Sequence, residues 1–259
     1  MTSLLKLGSI KARLVLAFSM ILFAILVILI IANSGLDASL KKTLLDFSME
    51  GKYPFSIQNI MWAFLFFGMG ELLYRWLVAK YTSLEIKKGI LPEDEEVLLT
   101  SSDTRKLYQR VKNEISSETV LPVFLKNLIV HFQTTNSIAQ TQELFNTQMD
   151  IKYSEMNTDY SMIRYITWII PTLGFIGTVV GISDALAYAA IADPTGKTFL
   201  AELTARLGVA FDTTLVALLM SAFLVFLLHI IESYEEKSLV KLEEYILDNF
   251  ITRLYIHKK

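Results

Sequence analysis

Leu14–Ala32 contains no formally charged residue, and an apolar stretch of about 20 residues is what a helix needs to cross the hydrocarbon core of a bilayer. Three more apolar runs follow, separated by charged or polar stretches. Together they predict membrane spans at 14–32, 53–75, 161–190 and 207–231. The apolar centre of the third is Tyr165–Ser183, bounded by Arg164 and Asp184. Hydrophobic residues make up 53% of the chain and charged residues only 19%, a balance that sets it apart from ordinary soluble domains. The first run is too long for a signal-peptide core and has no small-residue cleavage site close behind it, so it reads as a retained span.

Lys6, Lys11 and Arg13 precede the first span without an acidic residue among them. The positive-inside rule therefore places segment 1–13 in the cytoplasm. Four spans alternate the remaining segments: 33–52 outside, 76–160 inside, 191–206 outside and 232–259 inside. Both termini are then cytoplasmic. Glu71 and Arg75 mark the inner exit of the second span, with Tyr74 and Trp76 suited to the interface there. In the middle region, Glu93–Glu96 behind Pro92 reads as a helix start, where acids are favoured. Between Pro122 and Pro171 there is no proline, and no glycine before Gly174, which predicts one long helix running into the third span. Asp193-Pro194-Thr195-Gly196 reads as a turn. Leu239, Leu242, Ile246 and Phe250 fall at helical spacing in an otherwise charged tail, predicting an amphipathic extension.

No cysteine is present, which removes disulfides, thiolate metal sites and cysteine nucleophiles. A net charge of -2 gives no reason to expect a nucleic-acid partner. No metal-ligand cluster or phosphate-binding glycine loop is found.

The informative stretch is Ile170–Ile182. Gly174, Gly177 and Gly181 share one helix face, with Thr178 on or beside it. Small residues permit close helix approach in a membrane. In the fourth span Ala210, Thr214, Ala217 and Ser221 form a matching small, mildly polar stripe. Two such stripes on adjacent spans line a hydrated path or seat a partner helix; the alternative is plain packing, with each hydroxyl bonded back to its own helix. Asp212 is an acid inside a span, and such acids are functional hypotheses by default. It lies near the outer end and points away from Thr214, so a polar contact to a neighbour and a proton relay are its two readings. His229 reads as an interfacial histidine; His131 and His257 suggest no role.

The order Pro-x-Leu-Gly-x-x-Gly-Thr-Val-x-Gly-Ile at 171–182 resembles the signature of the MotA/TolQ/ExbB proton-channel family, nearest its TolQ and ExbB branch. Ala210–Leu218 is similar to the family's next span. The resemblance covers about the last third of the chain. It implies an all-α, ring-forming membrane subunit: a pentamer around a dimer of a single-span partner similar to MotB, TolR or ExbD, whose aspartate binds the ion. It also implies a bacterial inner-membrane location, no cofactor, no enzymatic activity, and proton flow coupled to rotation or mechanical work, with sodium as the other ion. By the same resemblance Thr178 and Thr214 line the ion path, while Pro171, Gly174, Gly177 and Gly181 shape the helix. Four spans are those of MotA, whereas TolQ and ExbB have three, and Asp212 is not an acid in the best-known branches.

Two other classes compete. A passive tetraspan scaffold would need neither threonine hydroxyl. An intramembrane serine protease would pair Ser183 with His229, but these lie at opposite ends of their spans, about 30 Å apart for a helix of about 20 residues, far beyond hydrogen-bond reach.

Overall fold

A computed structural model describes residues 10–45, 56–94, 97–114 and 120–256. Its elements in chain order are α1 (Ile10–Asn33), α2 (Ala38–Leu45), α3 (Ile57–Ile86), α4 (Ser101–Glu114), α5 (Val120–Thr135), α6 (Ile138–Ile191) and α7 (Phe199–Ile246), followed by a π-helical turn over Leu247–Ile251. Among the described residues the sheet-type pairing consists of a single bridge, Leu99 to Leu254. Three helices among the described residues are long and apolar enough to cross a membrane: Ile57–Ile86, Ile138–Ile191 and the continuous Phe199–Ile251. The first predicted span falls within α1, whose apolar part, Phe18–Asn33, is shorter. The start of the second predicted span, Tyr53–Phe55, lies outside the described residues, as do Lys6, Glu95, Glu96 and His257.

Two sequence expectations change. The helix predicted to run unbroken from Pro122 is interrupted between α5 and α6. Asn136 takes a left-handed conformation, φ 48°, which asparagine tolerates better than most residues. Its N–H closes α5 on Phe132 O at 2.9 Å. Ser137 then opens α6, its Oγ accepting from Gln140 N at 3.3 Å, as an N-cap serine does. The acidic run after Pro92 is also not a helix start in its described part. Arg253 donates to the carbonyls of Pro92 (2.8 Å), Glu93 (3.1 Å) and Asp94, holding that segment as a loop. The helix begins later, where Thr100 and Asp103 bond to each other at 2.6 Å ahead of α4. The turn at Asp193 forms as read, Asp193 Oδ1 accepting from Thr195 N at 2.9 Å.

The chain divides into two compact units. One comprises Met1–Arg13, Leu73–Tyr160 and Ile230–Lys259; the other comprises Leu14–Leu72 and Ser161–His229. In the first, α4 packs against α5, burying Leu107, Val111, Leu125, Leu128 and Phe132. The helical stripe Leu239, Leu242, Ile246 and Phe250 is buried as its spacing predicts.

Charge is also buried in this unit. Arg75, 5% exposed, donates to Glu235 Oε1 at 3.1 Å and Asp159 Oδ2 at 2.7 Å. Its guanidinium lies 5.2 Å from the Tyr160 ring centre. Tyr160 donates its hydroxyl to Glu235 Oε2 at 2.8 Å, and Arg13 reaches Asp159 Oδ1 at 2.9 Å. Arg75 and Glu235 thus form a buried pair, whose charges a low-dielectric site requires to be matched, while Arg13 and Asp159 extend it towards solvent as partly exposed groups. Burial pushes the Glu235 carboxyl up, against the downward pull of Arg75 and the Tyr160 hydroxyl.

Truncating Arg75 to Ala leaves Glu235 buried without its cation and is expected to cost about 3–5 kcal/mol, measured by unfolding of the purified protein in detergent. The double variant Arg75→Met/Glu235→Leu should recover most of that loss. Because the Glu235 carboxyl is raised in the fold, its contribution is full below the ordinary glutamate range and is lost as pH rises through the raised value. Arg75→Met removes the largest opposing pull, so its unfolding temperature should fall more steeply with rising pH than the parent's. Parallel pH curves would show that Glu235 does not titrate in this way.

Candidate functional site: a hydroxyl seam between α6 and α7

The second unit contains the residues of the family-like stretch. Pro171 sits inside α6. Proline has no N–H, so the carbonyl four residues earlier, that of Thr167, loses its helical donor. Ser221 on α7 supplies the replacement, its Oγ donating to Thr167 O at 3.0 Å. In hydrocarbon such a carbonyl must be satisfied within the protein, which gives Ser221 a specific task.

The three glycines face α7 of the same chain. A methyl at Gly174 would overlap Cβ of Ala217, and one at Gly177 would overlap the side chain of Thr213. At Gly181 a Cβ would lie 2.7 Å from Cβ of Ala210. As positions rise on α6, their partners fall on α7, so these segments pack antiparallel. Ala210 and Ala217 are thus the small residues the sequence pattern pairs with the glycines.

Within this close contact the two threonines meet. Thr178 Oγ1 and Thr214 Oγ1 share a hydrogen bond. Thr214 also donates to Gly174 O at 3.0 Å. Thr178 is within reach of two carbonyls, Ala210 O at 3.2 Å and Gly174 O at 3.3 Å. Each hydroxyl has one proton to donate, so these are alternatives among which the pair can switch. Both side chains are half-buried.

Three consecutive residues of α7 each bond a different helix. Asp212 Oδ2 accepts from Thr43 Oγ1 of α2 at 3.1 Å. Thr213 Oγ1 accepts from Gln58 Nε2 of α3 at 3.1 Å and donates to Val209 O at 2.8 Å. Thr214 meets Thr178 of α6. Successive helical residues point about 100° apart, so one level of α7 carries a polar ring facing α2, α3 and α6 in turn. Sequence reading found Asp212, Thr214 and Thr178 and missed Thr43, Gln58 and Thr213. Gln58 is an uncharged polar residue at the start of an aromatic-rich run, and its depth was the unread signal.

The remaining candidates stand apart. The α6/α7 register places Ser183 and His229 towards opposite ends of the packed pair, separated by about 30 Å of helix, and both are exposed. Among the described residues no group of His, Cys, Asp or Glu is arranged to hold a metal.

The fold is therefore that of an α-helical membrane protein with a small-residue, hydroxyl-bearing contact between two long helices. The family model described as the MotA/TolQ/ExbB proton channel family matches residues 113–244, half of the chain, and the protein belongs to that family. No curated protein matches the chain significantly, and neither does any solved structure.

Two glycine substitutions separate packing from propensity. Gly177→Ala forces its methyl onto Thr213 and should destabilise the protein by about 1–3 kcal/mol. Gly208 has nothing within 4 Å of a built Cβ, so Gly208→Ala should be neutral or stabilise by up to about 1 kcal/mol. Thermal unfolding in one detergent compares them; equal midpoints would mean the α6/α7 contact is loose.

Proposed function

We propose that this chain is a ring subunit of a proton-driven complex of the bacterial inner membrane, coupling ion flow to rotation or mechanical work through a single-span partner. The observation that carries this reading is the Thr178–Thr214 pair. Two hydroxyls converge at one half-buried point on a contact where Gly174, Gly177 and Gly181 lie against Ala217, Thr213 and Ala210. An ion path needs polar groups that can exchange partners without trapping the ion, and these hydroxyls have several acceptors in reach. The partner's aspartate would face them from the ring's centre.

The outer faces of the two helices favour assembly in a membrane. Phe175, Val179, Ile182 and Leu186 on α6, and Phe211, Leu215 and Leu218 on α7, are exposed apolar residues at helical spacing. A spanning helix presents such stripes to lipid or to neighbouring subunits. On this reading five copies surround two partner helices, α1 supplies a fourth span, both termini are cytoplasmic, and the sequence signature aligns the chain with the TolQ and ExbB branch. Asp212, bonded to Thr43, is assigned to the outer mouth of the path.

The complex extracted gently from its own membrane should appear in native mass spectrometry as a ring of this chain carrying a smaller single-span protein. Reconstituted in liposomes, it should pass protons when a gradient is applied, and replacing sodium in the buffer should leave the rate unchanged. Thr214→Val should abolish most of the flux with the ring intact. Full flux in that variant would remove the hydroxyl from the mechanism, and a parent that conducts nothing and carries no partner would leave a passive scaffold.

A further inference from the structure

Gln58 lies in the first turn of α3 and is 1% exposed. Its Nε2 is used, donating to Thr213 Oγ1 at 3.1 Å. Its Oε1 is buried and has no hydrogen-bond partner among the described residues. Turning the carboxamide over does not repair this. Oε1 would then take the Thr213 contact, and the amide nitrogen would lack its acceptor. A buried amide half-satisfied in this way is costly wherever water is excluded, and the chain places it beside the level of α7 that carries the hydroxyl pair.

The neighbours define what fits there. Thr213 is 2% exposed and already donates to Val209 O, so it offers Gln58 an acceptor and nothing more. Across the contact, Gly177 leaves room for the Thr213 side chain, and the next residue, Thr178, meets Thr214. Asp212, one position earlier, takes Thr43. A buried carbonyl oxygen without a donor, on a side chain bonded to the residue between Asp212 and Thr214, suits a small guest that brings its own hydrogens.

We propose that Gln58 Oε1 holds a water molecule or hydronium ion, making Gln58 a further residue of the ion route, on the α3 side of the level of α7 that carries Thr214. The inference rests on the channel reading above and extends it from the α6/α7 seam to α3. The carboxamide itself neither gains nor loses a proton. A hydronium that arrives there gives its proton onward and remains as water, so the site orients the carrier without trapping it.

The test uses the complex isolated with its partner and reconstituted in liposomes, with proton uptake read by an internal pH dye. Gln58→Leu fills similar space without a polar atom; it should slow uptake about tenfold while native mass spectrometry shows the parent's assembly. Uptake equal to the parent's would overturn the proposal and leave the channel reading standing, whereas a parent that conducts nothing would overturn both. Gln58→Met, as long as glutamine and without an oxygen or amide, is the second variant if Gln58→Leu changes the assembly. It should slow uptake by a similar factor, and uptake equal to the parent's would overturn the proposal.

Discussion

Backbone carbonyls in a membrane have no water to turn to, and every one that a helix leaves open needs a donor from within the protein. Pro171 opens such a carbonyl at Thr167, and Ser221 closes it from α7. That bond fixes where α7 lies along α6. The glycine contacts then follow in order, with Ala217 at Gly174, Thr213 at Gly177 and Ala210 at Gly181. Without side chains on those glycines the backbones come near enough for Thr214 to reach Gly174 O. The hydroxyl pair is a consequence of a proline, a serine and three absent side chains.

The same constraint explains the polar ring on α7. A helix packed against one neighbour needs one polar stripe at most, but residues 212–214 point in three directions. Each direction is answered by a different helix: Thr43 from α2, Gln58 from α3 and Thr178 from α6. Losing any one of these partners would leave a polar group in an apolar setting. The level is therefore held from several sides, which limits how far α7 can turn about its axis. On the proposed reading, such a fixed point is what a subunit needs if the moving part is a different chain.

Much of this was readable from the chain, and for physical reasons. Apolar runs longer than a soluble core requires announce spans without reference to neighbours. Glycine and alanine stripes announce close approach, because their spacing is set by the helix itself. The tail stripe Leu239–Phe250 is buried for the same reason. What was not readable depends on partners distant in sequence. Arg75 looked like an exit marker, yet it bonds Asp159 and Glu235. Gln58 carries no mark in its local sequence, yet it is almost fully buried. The break at Asn136 escaped because neither proline nor glycine marks it; asparagine can enter the left-handed region but seldom must.

The chemistry of the two units differs in a way that bears on function. In the first, Arg75, Glu235 and Asp159 form full charges in mutual contact, an arrangement that holds its members strongly and releases them with difficulty. In the second, the groups around Thr178 and Thr214 are neutral hydroxyls and carbonyls with more acceptors than protons, and the ion pair of Arg206 with Asp184 that also joins α6 and α7 lies beyond Gly181. Conduction asks for binding favourable enough to admit an ion and weak enough to let it go. A lone carboxylate facing an arginine would fail the second condition, while a purely apolar contact would fail the first. Threonine meets both, since its hydroxyl can accept from a passing hydronium and donate to a backbone carbonyl in turn, and its methyl keeps the contact packed. On the proposed reading, a strong charge is best carried by a moving partner, where neutralising it by protonation can be coupled to displacement of that partner and not to unfolding of this chain.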